Sequence, residues 1–305
     1  MAGLETRRMG RTEMMPASLG LGAAWLGQRS ERETIEAIHR AIDLGINYID
    51  TYPRGQEERW GKALEGGLRQ EIFLQAKVSP PDEGGKKDFS ASATRRSLEN
   101  SLKSLKTDYL DSVLIHDPFD IEDPLAPGHA LDELIKMKQE GSIRHLGLGE
   151  RQHEFHRRAI ETGQIDIILT FLDYTLLDQS VAQTTLPLAR EHDIGIILAS
   201  PMGMGTLTGA EPNREDELRR ARIENPDAKP QAHDMWRWCQ ARGVNIRHLA
   251  VQFCLAAPVE GIVMFGPADK QQVEEGYEAA TADIPDDVWH DFEAEFGVTA
   301  LRKSR

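Results

Sequence analysis

Short runs of β-branched and aliphatic residues alternate with longer amphipathic segments eight times along the chain, and that period constrains the fold more than any single motif. The first apolar run is "ASLGLGAAW", near residues 17–25. In the following "ERETIEAIHRAIDLG", Ile35, Ile38, Ala41, Ile42 and Leu44 fall at helical spacing, and Gly45 is placed to stop the helix. A short buried strand, Ile46 to Ile49, then ends in Asp50, and a helix over 57–68 opens near Glu57. "EIFLQAKV" and a helix over 90–106 follow, then "YLDSVLIH" and "HALDELIKMKQEG". "IRHLGLG" precedes a helix over 151–162, "IDIILTF" one over 180–192, and "IGIILASP" a long polar loop. Helical segments over 229–242 and 246–257 lead to "GIVMFG", a helix over 269–281 and a last one near 285–296.

The strands are apolar on both faces, as parallel strands covered by helices must be. Eight units in this length predict a closed (β/α)8 TIM barrel rather than an open doubly wound sheet. With 305 residues, 40% of them hydrophobic, the chain can bury such a core, and no Pro/Ser-rich linker divides it. The expectation is one barrel domain over 1–305.

Lys and Arg number 36 against 50 Asp and Glu, a net charge of −14. Such a surface repels phosphate backbones and anionic lipid, so neither nucleic acid nor membrane is expected as a partner. Cys239 and Cys254 form no metal-type or disulfide-type spacing, so packing is their expected role and no metal is expected. The N-terminus has no long apolar run, which fits a cytoplasmic chain acting on a small molecule.

Three strands finish on a chemically capable group: Asp50 on the second, Lys77 on the third, His116 on the fourth. In a barrel these strands are neighbours and their C-terminal ends share one mouth. A buried lysine needs a carboxylate close by, so Asp50 is the expected partner of Lys77. The pair would hold positive potential where a substrate oxygen gains negative charge, and His116 could donate a hydrogen bond or a proton to it. Two residues past Asp50, a strand-like chain would point Tyr52 the same way. "GLGLGAAW" reads as a strand end where backbone approaches something closely, and "MGMGTLTG" follows the seventh strand, where barrels often bind phosphate. His153 and His156 in "HEFH" lack zinc-protease spacing and, on an Arg-rich helix start, read as surface.

The sequence resembles the aldo-keto reductases, nicotinamide-dependent (β/α)8-barrel enzymes. "MGRTEMMPASLGLGAAWLG", "AIDLGINYIDT", "GSIRHLGLG" and "IILASPMGMGTLTG" carry the likeness, and "FSASATRRSLENSLKSLKTDYLDSVLIHDP" carries it furthest. "DYTLLDQS" is similar to the branch acting on free sugars and on pyridoxal. The resemblance implies a catalytic Asp, Tyr, Lys and His. Asp50, Lys77 and His116 fall on three of these positions. The stretch from Asp50 to Glu57 is about two residues shorter than the family pattern. One alignment leaves the tyrosine absent with Arg54 nearby, and another puts Tyr52 in its place.

For the cofactor, NADP or NAD, the resemblance points to Gly22, Gly149, Glu150, Ser200, Pro201, Gly203, Leu207, Gly266 and Lys270, and for substrate to Trp25 and Arg54. Glu150 stands where the family presents a hydroxyl and an amide, and Leu169 where it often has glutamine. Lys270 is the one cation in "GPADKQQVEEG", which offers no arginine fork for a 2′-phosphate. Three functions follow. The first is a nicotinamide-dependent oxidoreductase for a sugar or other small carbonyl compound. The second is a non-redox acid/base enzyme, a lyase, hydratase or epimerase, on the same barrel. The third is a binding barrel.

Overall fold

Eight parallel strands close into a barrel in chain order, β1 to β8, with β1 pairing to β8. They are β1 Leu19–Gly22, β2 Tyr48–Asp50, β3 Phe73–Val78, β4 Leu110–His116, β5 Ile143–Gly149, β6 Ile167–Phe171, β7 Gly195–Ala199 and β8 Gly261–Phe265. The structure, a computed structural model, describes residues 3–52, 56–78, 87–212 and 228–298. The predicted barrel is therefore the observed fold.

Alternation along each strand divides the side chains between two cores. In β4, Val113 and Ile115 join the layer between sheet and helices, while Leu114 points into the barrel. The outer layer also takes Leu21, Ile49, Leu74, Leu148, Ile196 and Val263. The inner one takes Tyr48, Leu114, Ile167, Leu169, Ile197, Ile262 and Met264. Met9 and Met14 are buried in that inner core. Their segment packs at the start of β7, with Arg11 N–H donating to Asp193 O at 2.6 Å, so it floors the barrel at the strands' N-terminal ends.

The helices begin and end where local chemistry dictates. Helix α1, Glu31–Asp43, opens on a reciprocal cap: Ser30 accepts from Glu33 N–H, and the Glu33 carboxylate accepts from Ser30 N–H. It stops at Gly45, whose φ of +83° suits a residue without Cβ. Ile46 N–H then ties back to Ala41 O at 2.9 Å, which keeps Ile46 and Asn47 in the turn. The second strand accordingly starts at Tyr48, two residues later than expected. Helix α2, Glu57–Ala63, is shorter than expected because Gly66 and Gly67 both take positive φ and break it. Next come α3 Ala91–Leu105, α4 Glu122–Leu125, α5 Ala130–Gln139 and α6 His153–Ile160. The remaining helices are α7 Thr185–Glu191, α8 Ala228–Arg242, α9 Ile246–Leu255, α10 Lys270–Thr281 and α11 Asp286–Phe296. The segment expected as helix over 180–192 opens with a 3-10 turn, Ser180–Gln183, before α7. Both cysteines are buried in helices. Among the described residues, no helix is long and apolar enough to cross a membrane.

Candidate active site

Strand register brings the expected groups together. Asp50 pairs in register with Gln75, Lys77 with Leu114, and His116 with Gly149. Asp50 and Lys77 are both buried. The Lys77 ammonium donates to Asp50 Oδ2 and reaches Thr51 O at 3.4 Å. The other carboxylate oxygen, Oδ1, accepts from Gln75 Nε2 at 2.7 Å. Beneath them Tyr48 donates its hydroxyl to Gln75 Oε1 at 2.8 Å and lies 2.8 Å from Ser112 Oγ. Burial pushes the ionisation of Tyr48 far up, so it remains a phenol.

The chain past β2 is pinned before it turns away. Thr51 N–H donates to Gln75 O at 2.8 Å, and its hydroxyl donates to the same oxygen at 3.1 Å. Tyr52 then swings over the barrel. Its ring packs against His116 with centroids 5.1 Å apart at 68°, and Lys77 Nζ stands 6.0 Å from the Tyr52 centroid. Asp50, Lys77, His116 and Tyr52 thus share one end of the barrel. Arg54 lies outside the described residues.

The mouth has a polar side and an apolar side. Opposite Asp50 and Lys77, the inward residues of β6 to β8 are Leu169, Phe171, Ala199 and Met264. The β5 wall has no side chain at Gly147 and Gly149. A Cβ at Gly147 would lie 2.3 Å from Leu114 Cδ2 and 2.5 Å from Ile167 O. One at Gly149 would lie 3.4 Å from His116 Cδ2, so glycine there leaves room for the imidazole. Asp117, Leu172 and Ser200, the first residues past β4, β6 and β7, all have positive φ, at 45°, 65° and 62°. Backbone held in the left-handed region at three strand exits is the kind of strain that gathers at functional sites.

Two groups at the mouth were missed or underused in the sequence reading. Lys87 donates to His116 O at 3.1 Å and to Asp117 O, and stands 5.4 Å from the exposed Phe119 ring. It comes from the β3–α3 loop, which has no period and so gave no signal. Gln75 did carry a signal: it is polar in an apolar strand and two residues from Lys77, hence on the same face.

The cofactor candidates spread over the ends of β1, β5, β7 and β8. Gly22 is the register partner of Asp50. Glu150 is buried, and its Oε1 accepts from the N–H groups of Arg151 at 2.7 Å and Gln152 at 3.1 Å. Burial raises its pKa, Asp117 adds to that, and Lys87 opposes it. Ser200 N–H donates to Met264 O at 3.1 Å, joining β7 to β8. Pro201 is buried beside it. Gly203, at φ +59°, donates to Ser200 O and opens a short turn, and Leu207 is buried behind that turn. A Cβ on Gly266 would stand 3.0 Å from Trp25 Cδ1, so half-buried Trp25 lies at the β1–β8 seam. Lys270 is exposed in the first turn of α10. Its neighbour Asp269 caps that helix, accepting from Gln272 N–H at 3.0 Å, and forms an ion pair with Arg29 at 3.0 Å. Arg29, from the β1–α1 loop, is a second cation that the linear run did not reveal.

One expectation fails. His156 is fully buried, not on the surface. Glu150 O can only accept, so His156 Nε2 carries the proton and donates to it at 2.8 Å, while Nδ1 accepts from Thr185 at 2.8 Å. Burial lowers its pKa to about 4, against the opposing pull of the bond to Glu150 O. His153 is half-buried and bonds to Asp173 and Thr184.

The aldo/keto reductase family profile matches residues 18–294. L-galactose dehydrogenase of Arabidopsis thaliana is 30% identical over 295 residues, covering 92% of this chain and 89% of that protein. D-threo-aldose 1-dehydrogenase of a Pseudomonas species is 27% identical over 309 residues, covering 89% and 92%. Among solved structures, aldo-keto reductase AKR11C1 from Bacillus halodurans, in its holo form, aligns with a TM-score of 0.79 at 25% identity. That alignment spans 99% of this chain and 97% of the other.

Proposed function

We propose, since the chain belongs to the aldo/keto reductase family, that it interconverts the hydroxyl and carbonyl forms of a sugar-like small molecule with NAD as its nucleotide. The observation that carries this reading is the seat of Tyr52, against His116 and within reach of Lys77. In reduction, the Tyr52 hydroxyl gives its proton to the carbonyl oxygen; in oxidation it takes that proton back. Lys77, fixed by Asp50, supplies positive potential where negative charge develops on oxygen. His116 donates a hydrogen bond to the same oxygen and orients it. The nicotinamide, when bound, supplies or accepts the hydride.

The strand ends fit a dinucleotide in two respects. Gly22 and Gly266 let Phe265 O and Trp25 pack closely at the β1–β8 seam, and Ser200 and Gly203 hold left-handed conformations past β7. The preference for NAD rests on Asp269. Asp269, at the α10 N-terminus, caps Gln272 N–H and pairs with Arg29; its charge would repel a 2′-phosphate, and its oxygens would accept from a ribose hydroxyl. A sugar-like substrate follows the two dehydrogenases similar to this chain.

Glu150 favours the second reading, a non-redox acid/base enzyme. Its carboxylate is spent on backbone amides where the family presents a hydroxyl and an amide. One experiment separates the two: titrate NADH and NADPH while following nicotinamide fluorescence, then assay NAD with a panel of aldoses. Micromolar NADH binding and aldose-dependent NADH formation support the oxidoreductase. No binding at millimolar nucleotide sinks it in favour of the acid/base enzyme.

A further inference from the structure

Below the Asp50–Lys77 pair, the barrel interior holds a polar layer in an otherwise apolar core. Gln75 is fully buried and uses both ends of its amide: Nε2 donates to Asp50 Oδ1 at 2.7 Å. Its Oε1 accepts from Tyr48 at 2.8 Å and from Ser112 at 3.2 Å. Donor and acceptor logic permits one orientation. Flipping the amide would press its oxygen against the Asp50 carboxylate, where neither atom has a proton to give. Tyr48, kept as a phenol by burial, donates at every working pH.

We propose that Gln75 is a positioning residue for the proton-transfer machinery of the proposed reaction. The two hydroxyls of Tyr48 and Ser112 fix the amide, the amide holds one oxygen of Asp50, and the other oxygen is thereby aimed at Lys77. A carboxylate held only by a flexible lysine can rotate about its last bonds; one held at both oxygens cannot. The polar layer turns an ion pair into a fixed electrostatic device, which is what a developing oxyanion needs. The inference rests on the oxidoreductase reading for its kinetics and on geometry alone for its structural part.

Among the described residues, the charged and titratable groups around this position are Asp50 and Tyr48 on β2, Lys77 on β3, Asp111 on β4 with its ion partners Arg69 and Arg144, and His145 on β5, the register partner of Ser112. A glutamate at position 75 would therefore meet one anion directly. While protonated it imitates the amide, donating O–H to Asp50 and accepting from the two hydroxyls. Once ionised it confronts Asp50 as a second carboxylate.

Two variants test the proposal. Gln75→Leu keeps volume and removes the clamp: kcat falls roughly 10- to 100-fold, with KM within about threefold. Gln75→Glu retains turnover near the wild-type level at low pH and loses it through one further ionisation as pH rises, an alkaline limb added to any that the wild type shows. A residue that merely fills space would let Gln75→Leu turn over at the wild-type rate. Stability gives a readout that needs no turnover. In the folded Gln75→Glu variant the introduced carboxyl, beside Asp50, has a pKa above its unfolded value of about 4.3. Its contribution is then complete below that value and is lost as pH rises through the folded pKa, so Gln75→Glu weakens against wild type on that limb. Wild-type kcat in Gln75→Leu, or a Gln75→Glu profile parallel to wild type at every pH, overturns the proposal and leaves the function standing. If wild type shows no nucleotide-dependent turnover, the function falls instead. The clamp is then judged by a double-mutant cycle of Gln75→Leu with Asp50→Asn in urea unfolding: coupled losses uphold it, and strict additivity overturns it.

Discussion

The rings of Tyr52 and His116 meet at 68° with their centroids 5.1 Å apart, so the phenol and the imidazole share one wall of the mouth. Tyr52→Phe keeps that ring contact and removes only the hydroxyl. Turnover should fall by about 10²- to 10⁴-fold, the usual worth of a positioned proton donor, with little change in thermal midpoint. Steady-state kinetics and a melting curve on the same sample check this, and undiminished kcat would refute the role of Tyr52.

Asp50 and Lys77 are buried together, so losing one strands the other. Asp50→Asn or Lys77→Met should each destabilise by about 3–5 kcal/mol and abolish most activity. The double variant should be less destabilised than the sum of the two, since neither charge remains unpaired. Urea unfolding of all four proteins measures the coupling; strict additivity would mean that the pair is not a unit.

His156 sets a pH dependence on stability. Its folded pKa, about 4, lies below the unfolded value, so its contribution is present above about pH 6.5 and is lost as pH falls toward 4. Across that window it should supply a slope of up to about 1.4 kcal/mol per pH unit. His156→Gln should flatten the fall in unfolding free energy between pH 6.5 and 4 relative to wild type. Parallel curves would show that the ring titrates normally.

Gly147 and Gly149 should respond differently to alanine. At Gly147 the new methyl meets backbone at Ile167 O, which cannot yield, so Gly147→Ala should cost about 3 kcal/mol or more. At Gly149 it presses on Leu114 and the imidazole of His116 at 3.3–3.4 Å. Gly149→Ala should therefore lower kcat with a stability loss of about 1 kcal/mol or less. Equal effects at the two sites would argue against this account of β5.

Asp269→Asn keeps a helix cap but removes the carboxylate and releases Arg29. The ratio of NADPH to NADH affinity should rise about tenfold or more, the value of one charge contact near a helix terminus. Fluorescence titration reads the ratio, and an unchanged ratio would remove Asp269 from nucleotide choice.

The barrel was legible because its evidence is periodic. Eight apolar strands between amphipathic helices demand closure, and polar residues at three successive strand ends then have to meet. Contacts set by a single residue or an aperiodic loop were not legible. The position of Tyr52 depends on how Thr51 is pinned to Gln75 O, and no spacing rule encodes that. Lys87 and Arg29 reach their partners from loops. His156 looked exposed beside Arg157 and Arg158, because its burial depends on Thr185, which belongs to a different helix. Gln75 was visible as a polar break in an apolar run, but its partners on β2 and β4 were not.

Met9 and Met14 stopper the barrel beneath Tyr48. Between those methionines and Lys77 the interior is filled by the hydrogen-bonded layer of Gln75, Tyr48 and Ser112, so the amine lies on the mouth side of a plugged barrel. Whatever reaches Lys77 must withdraw along the path by which it came, so arrivals and departures form a queue. A molecule lodged across the rim would halt traffic in both directions without ever touching the amine.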